Sequence, residues 1–321
     1  MSNNGFPLIQ PVLRLSVVLV WLFMAQHATA STDNWQWGGF LSQAGVYTSD
    51  NDFFGATDDR ISGSYGETGV IVNGDITPDL NFASQVIARR AGDVSDGSPR
   101  FDYINFSYRF FETMNASHGI RVGRLKVPIG FYGETREVPF TRPGIFMPQG
   151  IYWDRVRNTR SFFNGAQYFY DYRSDLHAFN LRAGGGTIKA DQAEADAQVG
   201  LPNILYEKPF TLKQFALGYE YDGGVLRSGL TLASYTTDFV PVNDGNPFFA
   251  DTVNVEYNVA VASLEYNWNR WSVVTEYYRG KTYGHHERAA RPDYKEWPDV
   301  SYVQLSYRMD SEWEFFGRYE S

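Results

Sequence analysis

The sequence predicts an all-β chain, a transmembrane antiparallel β-barrel. Three observations carry this: an export leader, a composition rich in aromatics and glycine with no spanning apolar helix, and a period-two alternation whose connections are alternately long and short. In residues 1–30 Arg14 is the only charge, Leu15 to Met24 is an apolar run, and Ala28, Thr29 and Ala30 form a small-residue cleavage site. This predicts a signal peptide cut after Ala30, leaving 31–321 as a single barrel domain. The run is about ten residues, where a spanning helix needs about twenty.

Composition narrows the class further. Aromatics make up 17% of the chain, with 22 Tyr, 24 Phe and 30 Gly, and there is no cysteine. The mean hydropathy of -0.38 excludes a bundle of membrane helices. The absence of cysteine excludes disulfide scaffolds and thiolate chemistry. Removing the leader takes one arginine from 28 Lys+Arg and leaves 27 against 37 Asp+Glu, a mature charge of -10 that argues against nucleic acid as a partner.

In chain order, strands are expected at 35–47, 62–72, 81–90, 101–111, 118–127, 162–172, 175–184, 212–221, 225–236, 254–267, 270–280, 299–308 and 312–320. Alternation is clear in several of them. Ile104, Phe106, Tyr108 and Phe110 share one face against Asn105, Ser107 and Arg109. Tyr168, Tyr170 and Tyr172 alternate with Gln167 and Asp171; Phe215, Leu217, Tyr219 and Tyr221 oppose Gln214, Ala216, Gly218 and Glu220; Val303, Leu305 and Tyr307 oppose Gln304, Ser306 and Arg308. Tight turns at "YDYRSD", "YDGG", "NWNR" and "RMDSE" alternate with long segments at 128–161, 185–211, 237–253 and 281–298. A two-sheet sandwich offers no reason for that asymmetry, whereas bacterial barrels have short periplasmic turns and long external loops. Thirteen strands would close only as a parallel pair, so the barrel is expected to be C-terminally incomplete, with sixteen strands when whole. The end "FFGRYES" also lacks a terminal aromatic.

The segment Gly133–Phe146, "GETREVPFTRPGIF", is the break in this pattern. Pro139 and Pro143 within it, with Pro128 just before and Pro148 just after, deny it regular ladders, and Glu134, Arg136, Glu137 and Arg142 load it with charge. A stiff, charged segment suits a narrowing inside a wet tube. The strand feeding it carries Arg121, Arg124 and Lys126. Ile120 and Val122 share one parity and Leu125 and Val127 the other, which predicts a β-bulge at Gly123 that turns all three cations inward. From Gly119 to Arg160 there are eight basic residues against three acidic, Glu134, Glu137 and Asp154, an excess that favours anions. Arg155, Arg157 and Arg160 fit either that constriction or an outer rim facing lipopolysaccharide phosphates.

The stretches "RVGRLKVPIGFYGETREVPFTRPGIFMPQGIY" and "GFLSQAGVYTSDNDFFG" resemble the Gram-negative outer-membrane porins, in particular an uncharacterised porin group akin to the phosphate-selective family. The resemblance implies an inward-folded third external loop, passive diffusion of small hydrophilic solutes, residence among outer-membrane lipid and lipopolysaccharide, a homotrimer, no cofactor and no reaction. With the charge pattern it makes Arg121, Arg124, Lys126, Glu134, Arg136, Glu137 and Arg142 the expected constriction residues, and gives a moderate anion preference. Two other readings stay open: a barrel hydrolase with catalytic residues on its loops, and a receptor or adhesin barrel. His285, His286 and Glu287 are expected on a solvated loop rather than on a metal, "SDNDFFGATDD" lacks calcium-loop spacing, and "AGGGTIK" starts a flexible loop without a phosphate-loop ending.

Overall fold

The computed structural model describes residues 28–32, 34–49, 55–92, 95–142, 144–154, 157, 161–189, 205–241, 252–286, 293–310 and 313–321. Almost all of the leader lies outside these residues, as do Arg155, Arg160, Glu287, Asp50 and Asp52. The strands are β1 (Ala28–Thr32), β2 (Trp35–Val46), β3 (Ser62–Thr77), β4 (Leu80–Ala91), β5 (Ser95–Asp96), β6 (Arg100–Glu112), β7 (Ala116–Lys126), β8 (Phe162–Arg173), β9 (His177–Ile188), β10 (Leu205–Glu207), β11 (Phe210–Tyr221), β12 (Leu226–Pro241), β13 (Val253–Trp268), β14 (Trp271–His286), β15 (Tyr294–Glu296), β16 (Asp299–Arg308) and β17 (Glu314–Glu320). Each of the thirteen expected strands has its counterpart, and β1, β5, β10 and β15 are short additions. Every ladder is antiparallel, joining strands adjacent or next but one in sequence. Among the described residues no ladder joins β17 to β1 or β2, so the wall is an open barrel.

Alternation along the strands distinguishes the two sides of this wall. Phe106, Leu217 and Leu305 are 48%, 42% and 43% exposed, while Gln85, Gln167 and Gln304 on the opposite face are 2%, 1% and 1% exposed. Apolar groups outside and polar groups inside invert a water-soluble protein; this is the pattern of a wall with hydrocarbon outside. At the tight-turn end the outward face carries a belt of rings. Phe179 lies 4.8 Å from Tyr219, Tyr266 5.5 Å from Trp268, Trp271 4.6 Å from Tyr307, and Trp313 6.5 Å from Phe315, measured between ring centres. Amphipathic rings at this level match a membrane–water boundary.

Three local expectations are corrected. There is no bulge at Gly123: β7 pairs continuously with β8 from Ala116 to Lys126, and its register with β6 shifts only at Arg109/Phe111. The apolar parity changes for another reason. Ile120 and Val122 face outward with Tyr108 and Phe106, whereas Leu125 and Val127 are buried in a core formed where the long loop covers the inner wall. Gly123 is glycine because its φ is +135° and a Cβ would lie 2.4 Å from the Ile104 carbonyl oxygen. The glycines of "AGGGTIK" belong to β9 rather than to a loop, and His285 and His286 end β14 on alternate faces, with His285 Nδ1 2.9 Å from Asp293 Oδ1.

Gly123→Val should therefore destabilise the barrel by about 1–3 kcal/mol, combining a left-handed φ with a backbone clash. A thermal unfolding series on the purified barrel checks this, and Gly38→Ala, whose Cβ would meet nothing within 4 Å, is the neutral control.

Candidate functional site: an inward loop braced across the barrel

The loop between β7 and β8 folds inward. It is closed at its neck by Val127 N–H donating to the Ser161 carbonyl at 3.1 Å. The first arm crosses to the far wall, where Thr231 Oγ1 of β12 donates to the Pro128 carbonyl at 2.7 Å. Three successive turns come next, with the amides of Thr135, Val138 and Thr141 donating to the carbonyls of Tyr132, Thr135 and Val138. On the return arm Gly150 lies against Val300 of β16, and Arg318 of β17 donates to the Phe146 carbonyl at 3.1 Å. The ring of Phe146 packs edge-on against Tyr65 of β3, beside Ala44, Val46 and Ala91. The loop thus touches both flanks of the open wall.

Two polar anchors hold it. The first is Glu276 of β14, fully buried, which accepts four hydrogen bonds: Phe131 N at 2.8 Å and Ser263 Oγ at 2.6 Å on Oε1, Tyr152 Oη at 2.7 Å and Tyr302 Oη at 2.8 Å on Oε2. Two of the four donors come from the loop, so this carboxylate joins loop to wall. Gly130 makes the approach possible, since a Cβ there would sit 2.4 Å from Glu276 Oε1.

The second anchor is a lattice of nine buried charged side chains, five basic (Arg89, Lys126, Arg136, Arg142, Arg157) and four acidic (Glu67, Asp102, Glu137, Asp154). Arg157 grips Glu137 with Nε at 2.7 Å and Asp154 with Nη1 at 2.8 Å. Asp154 also receives Arg136 at 3.3 Å and Arg89 at 3.2 Å, and Arg89 lies 3.1 Å from Glu67, which is bonded in turn by Arg142. Lys126 Nζ bonds Asp102 Oδ1 at 2.6 Å. Burial alone would raise the Glu137 carboxyl, yet Arg157 and Lys126 hold it well below its ordinary range. Asp154 is lowered in the same way, with Arg89 and Arg157 overcoming burial. Burial and the nearby Arg157 push Arg136 down to about 10, so it stays charged at neutral pH.

Beneath the loop, towards the tight turns, lies a polar cavity of about 610 Å³. Its roof includes Pro128, Phe131 and Glu134, and its wall includes Asp171, Arg182 and Arg227. Arg227 bonds Glu265 at 2.7 Å and lies 4.9 Å over the Phe131 ring. Arg182 bonds Asp171 at 2.7 Å, and Arg121 stands 3.9 Å from Glu134 and 5.0 Å over Phe169.

The expected constriction residues therefore separate into three groups. Arg121 and Glu134 meet beside the cavity. Lys126, Arg136, Glu137 and Arg142 are brought together, but as buried ion-pair partners rather than as a solvent-facing ring. Arg124, expected inside, shares the outward face with Ile104; it bonds the Phe101 carbonyl at 3.0 Å and covers the Phe162 ring at 4.3 Å. Arg157 belongs to the lattice, not to an outer rim. Sequence reasoning missed Glu67, Arg89, Asp102, Glu276, Arg182 and Arg227. Their one available signal is a charged residue in an otherwise β-patterned run, which does not say which partner meets it. Among the described residues no three His, Asp or Glu side chains gather as metal ligands.

Glu137→Gln should leave Arg157 and Lys126 without their shared carboxylate and cost about 3–5 kcal/mol. Limited proteolysis of the loop, compared with wild type, checks it. Because Glu137 and Asp154 are depressed in the folded state, their contribution is present above the ordinary carboxylate range and is lost only as pH falls through the lower folded values. Loop protection should thus be unchanged from pH 7 to about 5 and decline below about pH 4.

No family model matches the chain, and no curated protein matches it. Among solved structures it is similar to OmpT, an outer membrane protein of Vibrio cholerae, at a TM-score of 0.45 and 12% identity over 92% of this chain and 88% of that one. It is also similar to Salmonella typhi OmpF in complex with daunomycin (TM-score 0.40, 13% identity, 91% and 92% covered) and to an anion-selective porin from Comamonas acidovorans (0.35, 12%, 95% and 88%). These are distant likenesses. The wall itself, apolar outward, polar inward and ringed by aromatics, makes the chain an outer-membrane β-barrel protein.

Proposed function

We propose that the chain is a porin: a passive diffusion channel for small hydrophilic solutes, exported by a signal peptide over residues 1–30 and performing no reaction. One observation carries the reading. The cavity under the inward loop is walled by ionised side chains from several strands, and such groups around a void require water, because stripping them dry would cost several kcal/mol each. A water-filled space narrowed by a braced loop is what a diffusion channel needs. Kinship with the phosphate-selective group and assembly as a homotrimer are part of the proposal and rest on the sequence resemblance.

The preference for anions is modest in this reading. The lattice nearly neutralises itself, so Arg136 and Arg142 add little field at a distance. Arg121, Arg182 and Arg227 carry the preference, each offset by a carboxylate neighbour.

In a planar bilayer the purified protein should carry a stable ion current, and a folded barrel that carries none would favour the hydrolase or receptor reading. Arg121→Glu should move the reversal potential in a salt gradient towards cations by about five-fold in permeability ratio, equivalent to ~1 kcal/mol. Arg124→Glu should leave it unchanged, since that side chain faces away from the passage.

A further inference from the structure

The outward wall of β11 to β14 bears a polar row in an otherwise apolar setting. Lys213 pairs with Ser234, Ser234 with Asn258 and Asn258 with Lys281, so these four residues run side by side across four strands. One step towards the tight turns the same face reads Phe215, Leu232, Ala260 and Arg279. Phe215 and Leu232 are both exposed, which fixes the face as the lipid side. The segment holding β15 folds back over β14, with Gly280 N–H donating to the Pro298 carbonyl at 2.8 Å. This sets the Trp297 ring 5.9 Å from the Arg279 guanidinium and 5.2 Å from Lys281 Nζ. Together they line a groove of about 510 Å³.

Height decides what this groove meets. Lys281 lies ten residues along β14 from Trp271, which belongs to the aromatic belt. At ~3.3 Å per residue and a strand tilt of ~40°, that is about 25 Å along the membrane normal, the height of a barrel's apolar band. The row therefore stands at the headgroups of the opposite leaflet, the external one. Among the described residues Glu256 accepts the Asn258 amide at 2.6 Å, and Asp299 lies 3.8 Å from Arg279. Among the described residues neither Lys213 nor Lys281 has a carboxylate within ion-pair distance. The two lysines end a row spanning three strand spacings, about 14 Å.

We propose that this groove binds the phosphorylated headgroup of an outer-leaflet glycolipid. Lys213 and Lys281 meet its phosphates, Ser234 and Arg279 add donors, the indole of Trp297 packs on the sugar, and the acyl chains run down over Phe215 and Leu232. Phosphate oxygens are strong acceptors for ammonium and guanidinium groups, and an indole at headgroup level has both an apolar face and a donor. The site is on the outside of the wall, so it stands whether or not the barrel conducts.

Native mass spectrometry of the intact protein tests it, with bisphosphorylated lipid A and the same lipid stripped of phosphate as probes. Wild type should bind the phosphorylated lipid at least about ten-fold more tightly than the stripped one. Lys213→Gln/Lys281→Gln should abolish that difference while leaving bilayer current unaltered, and Lys213→Arg/Lys281→Arg should retain it. Equal binding of the two lipids to wild type would overturn the proposal, a comparison that needs no variant. So would full displacement by inorganic phosphate at the lipid's own concentration, which would make this a free-anion site. A double glutamine variant that changes oligomeric state yet binds lipid as before would also overturn it, assigning the face to a second copy.

Discussion

A charged or carboxyl side chain withdrawn from water must be met by an opposite charge or by several donors, and the loop at 127–161 satisfies that rule at both of its anchors. Glu276 uses donors alone, four of them, from the loop, β13 and β16. The lattice around Asp154 and Glu137 uses charge against charge, with Arg157 at its centre. Removing one member strands several partners, so each anchor fixes the loop in one place rather than merely attracting it. The mechanical result concerns the wall as well. β2, β3 and β4 meet β14, β16 and β17 through no ladder among the described residues, yet Phe146 packs on Tyr65 while its carbonyl accepts Arg318, and Tyr152 reaches Glu276. The loop is a strut between flanks that the sheet itself leaves apart.

The strut also divides the interior. On one side Val127, Ile129, Tyr132, Met147, Ile151 and Tyr152 pack against Phe163, Leu212, Val261 and Val274 from the inner wall, making a dry core where a simple tube would hold water. On the other side the charges are paired but partly exposed, as with Arg227 and Glu265, whose side chains are 38% and 14% exposed. Charge counted along a sequence therefore overstates charge available to a solute. Of the eight basic residues between 119 and 160, Arg142 and Lys126 are taken up by Glu67 and Asp102 from elsewhere in the chain, and Arg124 faces outward.

Period two made the wall legible: a strand with one wet and one apolar face writes its geometry into alternate residues, and the thirteen strands follow from it. Ends were less legible, since β3, β9, β12 and β14 continue beyond the last clear alternation where neighbouring strands still offer partners. The inward loop was legible from prolines and charge, because no ladder could accept them. The change of apolar parity at Gly123 was real but its cause was not, for a dry patch of inner wall and a bulge write the same pattern. Arg124 was misplaced for that reason. Glu276 and Arg89 were not legible at all, since their roles depend on groups contributed by a loop far away in sequence.

Whether the loop lies inside the barrel against β16 can be read from an engineered disulfide, because the chain has no cysteine of its own. A Cβ on Gly150 would stand 3.2 Å from the Val300 Cβ, close to the separation a disulfide spans. In the variant Gly150→Cys/Val300→Cys, mild oxidation should convert nearly all of the protein to the cross-linked form, with bilayer current retained. A pair of free thiols that stays unlinked under the same oxidation would place the loop away from the wall.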